Sequence, residues 1–541
     1  MLPTISLDAS WRRSSAPRAG GGAGSRTWAW SPVGDLPPSL FSFPSDPDLA
    51  RLPGQWALVS RAGGQVRLAV DPMRSRVLLF AFHNGRWVVA DSPDALRALV
   101  PWRLDRAGAA QLRHLGFSLG ARTLVKGVHS VQAAHTVVLR DDGSWDQRPY
   151  MRYRRGPDLV EDPDEFAGIF GGALRRCVSR LVAAAGRSQL VVPLSGGLDS
   201  RLLATALVEA GAPRLAAFSY GVPGCGEEAV ARGVADSLGI PFTAVRLDPD
   251  RMAERWRRAD GFRRATWGAT SLPHVQDWYA LGELRCRRLI DDDAVIVPGH
   301  TIVGNAHDCA ALALARRPSP AQAARLITLY HGSLQGAPGA LRRDPDMALA
   351  LRETARDAGV GAGASEAALQ SWVEWFNLRE RQAKYINMSM RAYEYFGYGW
   401  AAPMLDADMW RAWLRGGPGL TRDRGWYAGF VDALYSSVSA SPPRGYYSAP
   451  GNDHGMPPGM KRAALRLMGA TGADRALARA RSVRAQLRHP MGFEAFSRQV
   501  PQPLLALRYM TGATALGTWA RLFTDNRWGG PGRIVPEGEG A

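Results

Sequence analysis

The apolar run Gln189-Leu190-Val191-Val192-Pro193-Leu194 passes directly into Ser195-Gly196-Gly197-Leu198-Asp199-Ser200, and a helical pattern, SRLLATALVEAG, follows. In a parallel sheet, ligands collect beyond the carboxyl ends of the strands, where a loop offers backbone N–H groups and the positive end of a helix. Gly196 and Gly197 let the main chain come close to an anion, while Ser195 and Ser200 add hydroxyls and further amides. Leu194 closes the strand behind them. Asp199 is the unusual member, because a carboxylate among phosphates is repulsive unless a divalent cation lies between them. The loop therefore predicts a nucleotide bound with a metal, Asp199 being a metal ligand. No lysine follows the glycines, so this is not the lysine-bearing phosphate loop.

The elements that must hold this loop alternate from Pro163 onward. Helix DEFAGIFGGALRRCVSRLVAAAG, strand QLVVPL, the helix after the loop, strand RLAAFSYG, helix EEAVARGVADSLG and strand FTAVRLD follow in turn. Strands and helices of this length in alternation imply βαβ units and a parallel sheet. Before them, from Gly54, the segments QWALVSR, QVRLAV, RVLLFAF and RWVVADS are separated by Gly-Gly, Asp-Pro or Asn-Gly turn signals, which predicts an antiparallel, hairpin-rich domain ending near Tyr150 to Tyr153. Residues up to about 55 read as loops around short strands. From about Pro318 the chain is mostly helical, and the aromatic residues of SWVEWFNLRERQAKYINMSMRAYEYFGYGW are expected in the core.

At 541 residues and 46% hydrophobic, the chain is long enough for more than one core. The net charge is +18, yet only Lys126, Lys384 and Lys461 are lysines, so the positive charge is almost all arginine, scattered in small groups. That pattern argues against nucleic acid as the main ligand and suits an acidic nucleotide or peptide. No long uncharged apolar run and no secretory signal is visible, so no membrane partner and a cytoplasmic location are expected. Cys177, Cys225, Cys286 and Cys309 have no zinc or disulfide spacing.

Ser-Gly-Gly-x-Asp-Ser after an apolar strand resembles the pyrophosphate loop of ATP pyrophosphatases, and the order of parts resembles asparagine synthetase and its relatives. The resemblance implies an N-terminal Ntn-hydrolase-like antiparallel β sandwich over residues 1–155, and an α/β ATP-pyrophosphatase domain with a largely helical C-terminal part over 156–541. The segments GQWALV, AVDPMRSRVLLF, WVVADSPDAL and LGFSLGARTLVKGVHSVQAAHTVVL follow the glutaminase order. Glutamine-using members carry a cysteine directly after the initiator methionine; here the residue is Leu2, and no cysteine precedes Cys177. Without a thiolate nucleophile, glutamine cannot supply ammonia by that route.

The resemblance also implies roles for residues. Phe218, Ser219 and Gly221 stand where the family places adenosine contacts. The loop VIVPGHTIVGNAHD falls where synthetases carry Gly-Glu-Gly-Ser-Asp-Glu: Pro298 and Gly299 match, His300 takes the place of the first glutamate, and Asp308 is the next carboxylate and a candidate metal ligand. Ring-closing relatives place a general base at the position of His300, paired with a later glutamate, for which Glu394 is the candidate. Asp406 matches the family's Pro-x-x-Asp carboxylate or caps a helix. A late lysine that neutralises charge on the adenylate would be Lys461, with Lys384 as its rival.

These residues imply ATP and Mg²⁺, adenylation of a carboxylate with release of pyrophosphate, and attack by an amine with release of AMP. Among relatives lacking the cysteine, the loop PGHTIVGN resembles those of lasso-peptide cyclases, which join a side-chain carboxylate of a precursor peptide to its N-terminal amine. A precursor peptide is then the substrate, with a leader peptidase and a leader-binding protein as partners. Asparagine synthetase-like and β-lactam synthetase-like small-molecule chemistry, a tRNA-modifying enzyme, and a non-catalytic nucleotide-binding protein are the alternatives.

Overall fold

A computed structural model of the chain describes residues 3–16, 25–34, 38–62, 64–303, 312, 318–337, 339–442, 445–446, 472–528 and 533–537. It is a mixed α/β protein with three principal sheets. The N-terminal part holds strands β1 (Thr4–Ser6), β2 (Arg12–Ala16), β3 (Ser25–Trp30), β4 (Ala57–Ala62), β5 (Gln65–Val70), β6 (Leu79–His83), β7 (Arg86–Ala90), β8 (His129–Ser130), β9 (His135–Leu139) and β10 (Trp145–Pro149). They form a four-stranded sheet, β1-β7-β6-β8, and a six-stranded sheet, β10-β9-β5-β4-β3-β2. The hairpins β4–β5, β6–β7 and β9–β10 are antiparallel as their turn signals predict, whereas β1 joins β7 in parallel.

The third sheet runs β13-β12-β11-β14-β15, with β11 (Leu190–Pro193), β12 (Leu215–Gly221), β13 (Phe242–Arg246), β14 (Val295–Ile296) and β15 (Gly399–Trp400), and every pair in it is parallel. Around it lie α1 (Pro163–Ala185), α2 (Leu198–Glu209), α3 (Glu227–Ser237), α4 (Pro249–Trp256) and α5 (Trp278–Cys286). Helix α1 begins where its sequence says it should: Pro163 opens the first turn, and the Asp162 side chain accepts N–H bonds from Asp164 and Glu165. Strands β12 and β14 flank β11 on either side, so the strand order reverses there. The loops leaving β11 and β14 lie at that switch point, where open parallel sheets gather their ligands.

The aromatic segment beyond residue 365 is not one helix. Helix α6 (Glu366–Phe376) runs into a wide π-helical turn, Asn377–Gln382, then a tight turn at Ile386–Met388 and α7 (Ser389–Tyr395); α8 (Gly425–Ser439) follows later. Trp372, Trp375, Phe376, Tyr385, Tyr393 and Trp400 are buried as expected, but Tyr395 is exposed. Two fully buried charges, Arg379 and Glu380, lie inside the π-helical turn. Such widened turns gather at functional sites.

The N-terminal sheets and this helical segment share a charged seam. Arg379 donates to the Gln132 side chain at 3.0 Å, Asn387 to the Met73 carbonyl at 3.0 Å, and Arg391 to the Ser75 carbonyl at 3.0 Å. Tyr153 stacks on Trp375, and Arg155 makes a fully buried ion pair with Glu374 at 2.9 Å, supported by Ser371 and Thr421. Removing one partner of such a pair leaves an uncompensated buried charge. Glu374→Ala is therefore expected to cost about 3–5 kcal/mol, read as a lowered denaturation midpoint; an unchanged midpoint would show that the pair adds nothing.

Candidate active site

Helix α2 starts directly after the Ser195–Ser200 turn. Its N-cap, Gly197, is extended and supplies no side-chain cap, so the first-turn amides face outward with the positive end of the helix. The turn is held from within: the Ser195 N–H donates to Ser200 Oγ at 3.0 Å, the two hydroxyls meet at 2.9 Å, and the Gly197 N–H donates to Ser195 Oγ at 3.2 Å. Both hydroxyls and the amides of Ser195 and Gly197 thus shape the loop, which leaves the first-turn amides of α2 as its outward donors. Leu194 is buried and donates its N–H to the Phe218 carbonyl at 2.7 Å, locking the end of β11 against β12. The Gly196 N–H donates to the buried carboxyl of Glu227 at the start of α3, and burial raises the pKa of that carboxyl. Glu227 was missed from sequence; its only signal was an acidic pair at a helix start.

The second loop packs backbone to backbone against the first. A Cβ on Gly299 would lie 2.7 Å from the Ser200 nitrogen and 3.0 Å from its Cα, so only glycine fits. Pro298 is buried behind it. This contact brings Asp199 and His300 to one pocket of ≈ 190 Å³, completed by Thr301, Asn377, Gln382 and Arg424. Asn377 and Gln382 are the two ends of the π-helical turn.

Asp199 is bonded to the Arg424 guanidinium and accepts the Tyr427 hydroxyl at 2.8 Å. The Arg424 guanidinium thus occupies the carboxylate at which a divalent cation was expected. Asp308, the other expected ligand, lies outside the described residues, as does Lys461. Arg424 is the cation that the fold delivers to this pocket, on the residue before α8, and sequence reasoning overlooked it. Its rarity-based counterpart Lys384 is not in the pocket: its ammonium is buried and donates to the Ser118 and Gly120 carbonyls at 2.9 and 2.7 Å and to Glu380 at 2.5 Å. Burial lowers its pKa to about 8. Lys384 is a seam residue.

His300 faces the pocket, and its Nδ1 has no hydrogen-bond partner among the described residues. Burial lowers its pKa, opposed by the Asp277 carboxylate, the Asn387 side chain and Asp199 in that order. The imidazole is therefore neutral at neutral pH and able to accept a proton. Glu394, the expected partner, is not among the residues lining the pocket. Glu394 bonds Arg391 at 2.7 Å, Trp400 Nε1 at 2.9 Å and Arg76 at 3.3 Å, all in the seam. Consecutive helical residues point about 100° apart; on α7 it is Tyr393, not Glu394, that turns toward the pocket side, where its hydroxyl bonds Asp277 at 2.9 Å. Asp277, also bonded by the Tyr220 hydroxyl, is the acid that acts on His300.

Phe218 and Ser219 are buried at the end of β12 beside the loop, outside the lining of the pocket. A Cβ on Gly221 would lie 2.3 Å from Cys225 Sγ, so its glycine serves close packing. Asp406 caps the helix Ala407–Trp413 and receives the Gly54 N–H at 2.7 Å and Arg180 at 3.0 Å; it is a structural acid. Near it, burial raises the Cys177 thiol pKa, the opposite of an activated nucleophile.

Residues 170–277 match the family model described as asparagine synthase, a span that includes the Ser195–Ser200 loop, Glu227 and Asp277. Over those residues the chain is similar to the asparagine synthase family. That family couples ATP to amide formation. The chain is 26% identical over 231 residues to amidase chyE of Penicillium rubens, covering 39% of this chain and 34% of the relative; it spans about a third of that protein's length. A solved glutamine phosphoribosylpyrophosphate amidotransferase from B. subtilis overlaps 47% of this chain and 50% of its own at 13% identity, with a TM-score of only 0.13. Among the described residues, no helix is long and apolar enough to cross a membrane.

The His300 environment has a measurable consequence. Its NMR titration is expected below the ordinary value of about 6.5. Because Asp277 favours the protonated form, Asp277→Asn is expected to move that titration further down. An upward shift would remove Asp277 from the account.

Proposed function

We propose that the protein is an AMP-forming amide ligase that closes a macrolactam in a precursor peptide, as lasso-peptide cyclases do. The observation that carries this reading is the Gly299–Ser200 contact, which gathers the uncapped start of α2, Asp199, Arg424 and His300 around one pocket. That pocket is smaller than the ordinary small-molecule cleft of about 300–1,000 Å³, so it suits the reacting end, with the rest of the nucleotide over the ends of β11 and β12 near Phe218, Ser219 and Gly221.

In this reading a peptide side-chain carboxylate attacks the α-phosphorus of ATP and pyrophosphate leaves. Outward amides of the loop and the α2 dipole receive the phosphates. Mg²⁺, when bound, neutralises phosphate charge, and Asp199 would hold it once Arg424 turns to the pyrophosphate. The peptide's N-terminal amine then attacks the acyl carbon, its proton passes to His300, and AMP departs. The Asp277 carboxylate favours the protonated imidazole. Arg424 takes the charge-neutralising role expected of Lys461.

Residues 1–155 are read as a glutaminase-like Ntn domain kept as scaffold, and 156–541 as the synthetase domain. The two antiparallel-rich sheets support the first assignment, and the absence of cysteine before Cys177 fits an enzyme whose own substrate supplies the amine. A leader peptidase and a leader-binding protein are the partners that such a peptide needs.

The test is incubation with ATP, Mg²⁺ and peptides carrying an internal Asp or Glu, followed by mass spectrometry. Loss of one water with stoichiometric AMP is expected; AMP release driven only by a free amino acid and ammonia would overturn the cyclase reading in favour of asparagine synthesis. In ATP–pyrophosphate exchange, Gly299→Val is expected to abolish turnover. Arg424→Met should reduce it about 10²–10³-fold, the scale for losing one pre-placed charge stabiliser. Unchanged exchange in Arg424→Met would remove the arginine from the mechanism.

A further inference from the structure

Strand β13 is the last strand of the parallel sheet, and among the described residues nothing pairs with its outer edge. Its inner edge is satisfied in the odd positions: the Pro241 carbonyl accepts the Ala217 N–H at 2.8 Å and the Leu247 N–H donates to the Gly221 carbonyl at 2.9 Å. With a strand period of two, the backbone N–H and C=O groups of Ala244 and Arg246 point away from β12. They open into a groove of ≈ 710 Å³ that is separate from the His300 pocket. Helix α3 forms one wall with Glu228 and Arg232, helix α5 the other with Tyr279, Glu283 and Arg287, and Pro249 and Arg251 of α4 close an end.

The charge of the groove is asymmetric in a specific way. Its three acids are each engaged by an arginine: Glu228 by Arg232 at 2.9 Å, Asp248 by Arg251 at 3.5 Å, and Glu283 by Arg255 at 2.5 Å. Arg246 and Arg287, both exposed, have no acidic partner among the described residues. The groove thus offers unpaired backbone groups on its floor and two uncommitted guanidiniums beside them.

We propose that this groove binds an extended acidic peptide segment, which adds to β13 as a further strand while its carboxylates engage Arg246 and Arg287. Strand addition supplies main-chain hydrogen bonds, and charged side chains at alternate positions supply selectivity. A phosphodiester backbone has no regularly spaced N–H and C=O groups to match those of Ala244 and Arg246, which favours a peptide over nucleic acid. The site is distinct from the nucleotide loop, and the proposal does not rest on the adenylation reading.

The test is fluorescence anisotropy of the full chain, without ATP, using a short fluorescein-labelled peptide of alternating glutamate and threonine. A matched lysine–threonine peptide and a single-stranded RNA oligonucleotide serve as comparators. The glutamate peptide is expected to bind, and the double change Arg246→Glu with Arg287→Glu to weaken it at least about tenfold. Ala244→Pro removes an outward N–H without touching the ladder to β12 and is expected to weaken binding similarly. Neither variant should alter ATP–pyrophosphate exchange. The proposal is overturned if the lysine peptide or the RNA binds as tightly, if no peptide binds, or if both variants bind like the parent chain.

Discussion

Two pieces of main chain touch at Ser200 and Gly299, and the chemistry of the protein depends on that contact. A side chain at 299 would occupy the space of the Ser200 amide, so the loop after β14 could not lie against the first turn of α2. The sheet order places β11 next to β14, which brings the loops within reach; the glycine lets them close. Asp199 and His300, a hundred residues apart, then share one pocket, and α8 delivers Arg424 and Tyr427 to the same carboxylate.

A second constraint is the amount of charge buried between the N-terminal sheets and the segment from Asn377 to Tyr395. Arg379, Glu380 and Lys384 are almost fully buried, and each is compensated by a partner across the seam or along the helix. Buried ions are tolerated only with such compensation. The π-helical turn that lines the pocket is therefore held from behind by loops of the N-terminal part. Those loops supply the carbonyls and amides that the buried charges of the pocket wall need.

The arginine excess looks different once the structure is known. Much of it is spent internally, as in Arg155 with Glu374, Arg76 with Asp91, and Arg424 with Asp199. The net charge by itself says little about a partner. What matters is where guanidiniums lack acids, as beside β13.

Local signals in the sequence were enough for the Ser195–Ser200 turn, its strand and its helix, because glycines, a helix start and an apolar run are all short-range features. The hairpins from Gly54 to Pro149 were legible for the same reason. His300 became a candidate through the resemblance of its loop to those of ring-closing relatives, and an imidazole is a ready proton acceptor. The partners of these residues were decided only by tertiary structure. Glu394 and Tyr393 are neighbours in sequence, yet the helical turn between them sends one to the seam and the other to Asp277. Lys384 and Arg424 carry the same charge, but packing buries the first among carbonyls and sets the second on Asp199. Spacing along a chain cannot report which face of a helix meets which wall, because that is settled by how the whole core closes.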